Sequence, residues 1–317
     1  MPQKQPKRGG QNTRKKQNRD HSVAKRRAKK DTPEQPSVYN LVLFQQGGEM
    51  LDRDTFASIQ DKLDENITTN VDQTEIDVWI ESPGGDAHAA FKMYLDLRSR
   101  CSKLRAYVPD YAKSAATLFA IGADELFMAA AADLGPLDVQ LEHPDREGEI
   151  VSSLSGANSL EHLTRLARDL ALMSGPLLVQ ITGLPRAQVL RELLDFTSKS
   201  LGPVVSKLDP QLIHEASEAL QVTKRYAEIV LKLRINNTLD AREIERIAKA
   251  FVTEYPTHGY VIDRGQLAEV GIASKPIEQH ILWPQMKSLY KAFSETSKKA
   301  IIEVASGPFI KSGGLLK

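Results

Sequence analysis

The stretch Ile76–Gly85, IDVWIESPGG, is the part of the chain that decides the fold. Its apolar run IDVWI predicts a buried strand, and Ser-Pro-Gly-Gly follows it at once as a turn. Two glycines at a strand end let backbone N–H groups face open space, as a hole for a developing oxyanion requires. A simple turn is the common alternative. Asp86 then caps a predicted helix whose apolar face includes Ala90, Met93 and Leu97.

Similar strand–helix units lie on both sides of this stretch. The predicted strands are Val38–Phe44 before it and Leu104–Val108 and Glu125–Met128 after it. A helix is predicted between neighbouring strands, first over Asp52–Ile67 and later over Ser114–Ile121. Strands that alternate with helices in this way indicate an α/β fold class with a core of repeated strand-helix units.

The pattern changes after Gln140. Residues 142–157 are polar and typical of a loop, and Ser159 to about Thr253 has helical spacing. A short strand over Tyr260–Ile262 and a helix over Gly265–Val270 return to the core, and a last helix is predicted over Gln285–Val304. The predicted division is a tail (1–36), an α/β core (37–141), a large helical insertion (142–253), a return to the core (254–275) and a C-terminal helix and tail (276–317).

Composition restricts the class of protein. The 317 residues are 41% hydrophobic and 26% charged, which is typical of a globular protein, and a single cysteine, Cys101, excludes an internal disulfide framework. No apolar run is long enough for a transmembrane segment, and no secretory signal opens the chain, so we expect a cytoplasmic protein. No phosphate loop, zinc spacing or dinucleotide fingerprint is present, so no cofactor is expected.

The charges are unevenly distributed along the chain. Residues 1–36 hold 12 Lys/Arg and 3 Asp/Glu, a balance of +9, whereas the whole chain carries only +1, which leaves −8 for the rest. Because this tail has almost no large apolar residue, it is predicted to be disordered. Its charge fits contact with nucleic acid or an anionic surface. A tail that only aids solubility, or that docks on the protein itself, is an equal alternative.

Ser114 is the candidate nucleophile. It begins an apolar helix after the strand Leu104–Val108, where free N–H groups and the positive end of the helix dipole support an activated hydroxyl. Serine is also a common helix cap, and position alone does not separate the two roles.

Four ordered motifs point to a known family. They are Tyr111–Thr117 (YAKSAAT), Gly122–Glu125 (GADE), Leu134–Gln140 (LGPLDVQ) and His258–Tyr260 (HGY). Together with Ser-Pro-Gly-Gly they resemble the serine dehydrogenase proteinase (SDH) family, a branch of the Clp protease and signal-peptide peptidase A superfamily with a crotonase-like fold. The resemblance covers about residues 38–141 and 254–275.

The resemblance implies a serine endopeptidase-type hydrolase. Ser114 would be the nucleophile, and the backbone N–H groups of Gly84 or Gly85 and of Ala115 would form the oxyanion hole. The Ser, Asp, His order of the family maps onto Ser114, Asp138 and His258, with His258 as base and Asp138 bound to its imidazole to fix the tautomer. Asp138 stands where the Clp branch has its histidine, which is a departure from that pattern. Relatives commonly assemble into rings, so a homo-oligomer acting on a peptide or protein substrate is expected.

Several alternatives stay open at this stage. The base is His258, His143 or His88, in that order, or a lysine as in the signal-peptide peptidase branch. Lys113 adjoins Ser114, but the side chains of consecutive residues at the start of a helix point in different directions. Lys199 and Lys207 lie in the helical insertion. Two other functions compete with peptide hydrolysis: a catalytically silent scaffold whose basic tail binds nucleic acid, and a crotonase-type enzyme acting on an acyl thioester.

Overall fold

The computed structural model describes residues 36–142, 150–235 and 237–306, and the folded unit begins at Ser37. Residues 1–35 of the basic tail (1–36) and His143 lie outside the described residues, so the expectations for the tail and for His143 stay predictions.

One six-stranded sheet organises the described chain, in the order β10-β1-β2-β3-β5-β9. All neighbouring strands are parallel except β10, which pairs antiparallel with β1. Two small sheets, β4–β6 (parallel) and β7–β8 (antiparallel), accompany it. The strands are β1 (Ser37–Gln45), β2 (Thr74–Glu81), β3 (Lys103–Val108), β4 (Tyr111–Ala112), β5 (Glu125–Met128), β6 (Asp133–Leu134), β7 (Gln140–Glu142), β8 (Ile150–Ser152), β9 (Lys275–Pro276) and β10 (Ala300–Ser306).

Helices connect the parallel strands, and a group of helices follows β8. They are α1 (Arg53–Asn66), α2 (Ala87–Arg100), α3 (Thr117–Gly122), α4 (Ser153–Thr182), α5 (Arg186–Val205), α6 (Pro210–Lys232), α7 (Ala241–Lys249), α8 (Arg264–Val270) and α9 (Trp283–Ser294). Asp86 caps α2 as predicted, and Asp240 and Glu243 form a capping box at α7. Within the described ranges, no helix is long and apolar enough to cross a membrane.

Aromatic stacking across the central strands helps to hold the sheet together. The Trp79 ring stacks on Tyr107 with centroids 4.3 Å apart, and Tyr107 stacks on Phe127 at 4.7 Å. On the helical side, the buried Tyr94 hydroxyl donates to the carbonyls of Gly122 and Val230. One side chain thus ties α2, α3 and α6 together.

Three local predictions are corrected. The last helix ends at Ser294 instead of Val304, and Ala300–Ser306 forms β10 because the open edge of β1 supplies a ladder of hydrogen bonds. Residues 142–157, predicted as a loop, contain β8 and the first turn of α4. The predicted strand Tyr260–Ile262 reduces to a single antiparallel bridge between Ile262 and Leu134.

Candidate functional site

Ser114 occupies a strained turn between β4 and α3. Its φ of +48° is the one positive value among the described non-glycine residues. Left-handed backbone costs a side-chain-bearing residue free energy and occurs at functional turns, including the strained strand-to-helix turns that expose a nucleophile. Hydrogen bonds to Ser82 hold the preceding segment: Ser82 N–H donates to Tyr111 O (3.2 Å), and Lys113 N–H donates to Ser82 O (2.9 Å).

Glycine backbone packs against Ser114 from two directions. A Cβ atom on Gly84 would come within 2.8 Å of the Ser114 Cβ atom and within 2.6 Å of the Lys113 carbonyl. A Cβ atom on Gly135 would approach the Ser114 nitrogen to 3.0 Å. The contacts at Gly84 are too tight for a Cβ atom, so this position requires glycine, whereas a Cβ atom on Gly135 would need Lys113 and Ser114 to shift slightly.

The structure distinguishes Gly84 from Gly85, which the sequence analysis gave as alternative donors to the oxyanion hole. The Gly84 N–H donates to the Ser82 hydroxyl (3.1 Å), so that amide is engaged. Gly85 forms a parallel β-bridge with Leu51. The two hydrogen bonds of this bridge run from the Leu51 amide to the Gly84 carbonyl and from the Asp86 amide to the Leu51 carbonyl, so neither uses the Gly85 amide. Gly85 also lines the cleft beside Ser114, whereas Gly84 does not. The Ala115 amide lies in the first turn of a helix, where amides lack an intrahelical acceptor.

A cleft of about 1090 Å³ opens over this turn. Its lining brings together Gly85, Ser114, Ala115, His88 and His258. The Gly-Gly turn, the candidate nucleophile and two of the three candidate histidines therefore face one cavity. Its volume lies at the upper end of the usual range for ligand-binding clefts.

His258 reaches the cleft because its segment is bound to β6 and to the turn that follows β6. Leu134 and Ile262 exchange two backbone bonds (2.9 and 3.1 Å), and Leu137 N–H donates to the Phe251 carbonyl (2.8 Å). His258 lies between these attachments and is half-buried. Its Nδ1 atom is buried and has no hydrogen-bond partner among the described residues. A buried ring nitrogen without a partner is unusual in a structural histidine.

Asp138 is not joined to His258 in the structure. It is 2% exposed, its Oδ2 atom accepts from the Ser152 hydroxyl (2.5 Å) and its Oδ1 atom accepts from the Leu154 amide (2.9 Å). Both carboxylate oxygens thus hold the start of α4. The contact implied by the family resemblance, from Asp138 to the imidazole, is not formed.

The other candidate bases are placed less favourably. His88 lines the cleft, but its Nδ1 atom lies 2.8 Å from the Tyr226 hydroxyl. The Lys113 ammonium is bound to Asp133 (2.5 Å), so its side chain is already paired. Lys199, paired with Asp195, and Lys207 are both exposed, and neither lines the cleft.

Thr117 is a supporting residue that the sequence reading missed. Its buried hydroxyl lies 2.9 Å from the Ala112 carbonyl and 2.8 Å from the Gly135 carbonyl, and it accepts from the Gly135 amide (3.3 Å). It therefore links the segments before and after Ser114 to the turn that carries Gly135. The available signal was a polar side chain three residues after Ser114, within an otherwise apolar helix.

A buried carboxyl group lies directly before the Ser82 turn. Glu81 is 4% exposed, and its Oε2 atom has no hydrogen-bond partner among the described residues. Burial, with a contribution from the neighbouring Asp110 carboxylate, raises the Glu81 pKa from 4.5 to about 8. A hydrogen bond from Tyr290 acts in the opposite direction. The strand end that supports the site therefore carries a protonated acid at neutral pH.

Sequence comparison matches the segment that carries Ser114 to a known family. Residues 54–155 match the family described as ClpP-like SDH-type serine proteinase. Two uncharacterized proteins of Methanocaldococcus jannaschii are also similar. The first is 35% identical over 97 residues, which cover 30% of this chain and 34% of that protein. The second is 38% identical over 86 residues, which cover 24% of this chain and 30% of that protein. The chain spans about a third of the length of these curated relatives.

Among solved structures, a mutant of the 1510-N membrane-bound stomatin-specific protease is similar with a TM-score of 0.42 and 13% identity, over 79% of this chain and 84% of that one. The family match contains the Gly-Gly turn, Ser114 and Asp138, and it ends before His258. The family match agrees with the predicted Clp-like α/β core. The structure shows this core as part of the six-stranded sheet. Residues 54–155, about a third of this chain, thus carry the match to the family described as ClpP-like SDH-type serine proteinase.

Proposed function

We propose that the protein is a serine peptidase that cleaves peptide bonds through an acyl-enzyme on Ser114. The observation that carries the proposal is the strained Ser114, which shares a cleft with the half-buried His258. The family match over residues 54–155 supports the same chemistry. Because the match covers only part of the chain, activity and substrate are proposals for the whole protein.

In the proposed mechanism, the Ser114 hydroxyl oxygen attacks the carbonyl carbon of the scissile bond while the His258 imidazole takes its proton. The amide N–H groups of Gly85 and Ala115 bind the oxyanion of the tetrahedral intermediate. Collapse of the intermediate breaks the C–N bond, and His258 returns the proton to the leaving amine. Water then attacks the acyl-enzyme with His258 again as base, which releases the acid product and restores Ser114.

Asp138 would have to exchange one hydrogen-bond partner to act as the aspartate of a Ser, Asp, His triad. To orient the imidazole, its carboxylate would exchange the bond with the Ser152 hydroxyl for one with Nδ1 of His258. In the arrangement seen here it fixes the start of α4, beside the cleft. Replacing Asp138 separates the two roles, because loss of a triad carboxylate lowers kcat by about 10⁴-fold, whereas loss of a structural anchor acts on stability.

The test is fluorophosphonate labelling with peptide mapping, alongside peptide hydrolysis. We expect an adduct on Ser114 that is absent from Ser114→Ala and strongly reduced in His258→Gln. His88→Gln is the matched control, because it removes the other imidazole of the same cleft and should leave labelling intact. For Asp138→Asn we expect labelling within about tenfold of wild type and a lower melting temperature.

Three outcomes would contradict parts of this proposal. Peptide hydrolysis that persists in Ser114→Ala removes the nucleophile. Labelling that survives His258→Gln but not His88→Gln moves the base to His88. A loss of several orders of magnitude in Asp138→Asn, with an unchanged melting temperature, assigns Asp138 to the triad after all.

A further inference from the structure

The cleft has a uniform sign of charge that the mechanism does not use. Four of its lining residues are carboxylates, namely Glu49, Asp52, Asp86 and Glu218. No lysine or arginine is among the described residues that line it. The four acids come from three separate elements, namely the β1–α1 loop, the start of α2 and the middle of α6. Low-dielectric walls of one sign concentrate ligand groups of the opposite sign.

Two of the four carboxylates already have a structural role. Asp52 caps α1 by accepting from the Thr55 amide (2.7 Å), and this bond lowers the Asp52 pKa. Asp86 caps α2 by accepting from the His88 amide (2.8 Å). The positive end of each helix offsets part of these charges. These two acids are needed for the fold around the cleft, whatever the ligand.

Glu49 and Glu218 are different, because neither caps a helix. Both are exposed at the cleft. Glu49 forms no ion pair within the described part of the chain, and Glu218 has only the exposed His214 as an ion-pair partner there, at 3.4 Å. Both charges are therefore available to a ligand. The two residues are far apart in the sequence, but they line the same cleft.

The rest of the lining suits a long aliphatic stem. Met50, Leu51, Leu137, Val139 and Val222 contribute apolar surface between the carboxylates. Lysine and arginine side chains combine these two needs, because they lay methylene groups along apolar surface and place the charge at the end. A planar guanidinium also pairs with a carboxylate through two parallel hydrogen bonds.

We propose that the cleft selects peptide substrates that carry an arginine or lysine side chain, and that Glu49 and Glu218 are the residues that determine this specificity. The inference deepens the proposed peptidase function and rests on it. Ser114 and His258 would carry out the reaction, and the two glutamates would decide which peptide is held over them.

Binding to the full-length Ser114→Ala protein tests the inference without requiring cleavage. The probes are three fluorescein-labelled peptides that differ at one position, arginine, citrulline or glutamate, with anisotropy as the readout. Citrulline keeps the shape of arginine but lacks its charge. We expect the arginine peptide to bind about fivefold more tightly than the citrulline peptide, as for one partly exposed ion pair. The glutamate peptide should bind most weakly, and added salt should reduce the preference.

The variant Glu49→Gln/Glu218→Gln should abolish the preference for arginine while citrulline binding stays the same. Glu192→Gln/Glu269→Gln is the matched control, since it removes two exposed carboxylates outside the cleft and should retain the preference. Equal binding of arginine and citrulline peptides would overturn the inference. So would a preference that survives the cleft variant or disappears equally in the control. Labelling of Ser114 decides the peptidase function separately.

Discussion

At the scale of single residues, Ser114 is held in a conformation that its own side chain disfavours. Its φ of +48° lies in the left-handed region, where glycine alone adopts the backbone without steric cost. We therefore expect Ser114→Gly to be more stable than Ser114→Ala by about 1 kcal/mol, although both lack the hydroxyl. The comparison removes the nucleophile in both proteins, so the difference reports backbone strain. Urea unfolding monitored by circular dichroism measures it.

Ala57→Gly provides the opposite control, because Ala57 is an exposed residue within α1. Glycine in a helix interior costs about 1 kcal/mol relative to alanine. We thus expect glycine to stabilise the chain at position 114 and to destabilise it at position 57. Equal stability of the glycine and alanine variants at position 114 would show that the turn stores no strain.

At the scale of elements, the end of β2 couples the stability of the site to pH. The Glu81 carboxyl keeps its proton up to about pH 8 in the folded chain, whereas its ordinary pKa is 4.5. Between these values the folded chain holds more protons than the unfolded chain, so this group lowers stability progressively as pH rises from 4.5 to 8. We expect Glu81→Gln to melt at least about 3 °C higher than wild type at pH 8.5 and close to wild type at pH 4.5.

Melting curves of the two proteins across this pH range measure the effect. Glu65→Gln is the control, since Glu65 is an exposed carboxylate at the end of α1 and should show no such pH-dependent difference. A constant difference between Glu81→Gln and wild type at all pH values would mean that the Glu81 carboxyl does not titrate with folding.

The sequence predicts well those elements whose own hydrophobic pattern is enough to specify them, without contacts to distant segments. β2, β3 and β5 are buried runs bounded by turns, and the structure confirms them. β10 was missed because Ala300–Ser306 becomes a strand only through pairing with the edge of β1. The site divides in the same way. The motifs around Ser114 lie in neighbouring segments, whereas the position of His258 depends on the bonds between Leu134 and Ile262, which no local pattern contains.

At the scale of the whole molecule, the hairpin of α4 and α5 exposes an apolar surface that a single copy does not cover. Residues 170–185 contain no charged residue, and Met173 and Ile181 are 79% and 69% exposed. Leu172, Leu177, Leu190 and Phe196 add to this surface. Contiguous apolar patches of this kind mark interaction sites. Because residues 170–185 carry no charge, a second copy of this part of the hairpin fits it without unpaired charges.

We therefore expect the protein to self-associate through this hairpin. Wild type should sediment as an oligomer of the 35.2 kDa chain, and Leu177→Glu/Ile181→Glu should sediment as a monomer, because association would bury two unpaired carboxylates. Ile281→Glu is the matched control, since Ile281 is 88% exposed and lies outside the hairpin, so this variant should keep the oligomer. Sedimentation velocity, with circular dichroism to confirm folding, decides the matter. A monomeric wild type, or a hairpin variant that associates like wild type, would contradict this role.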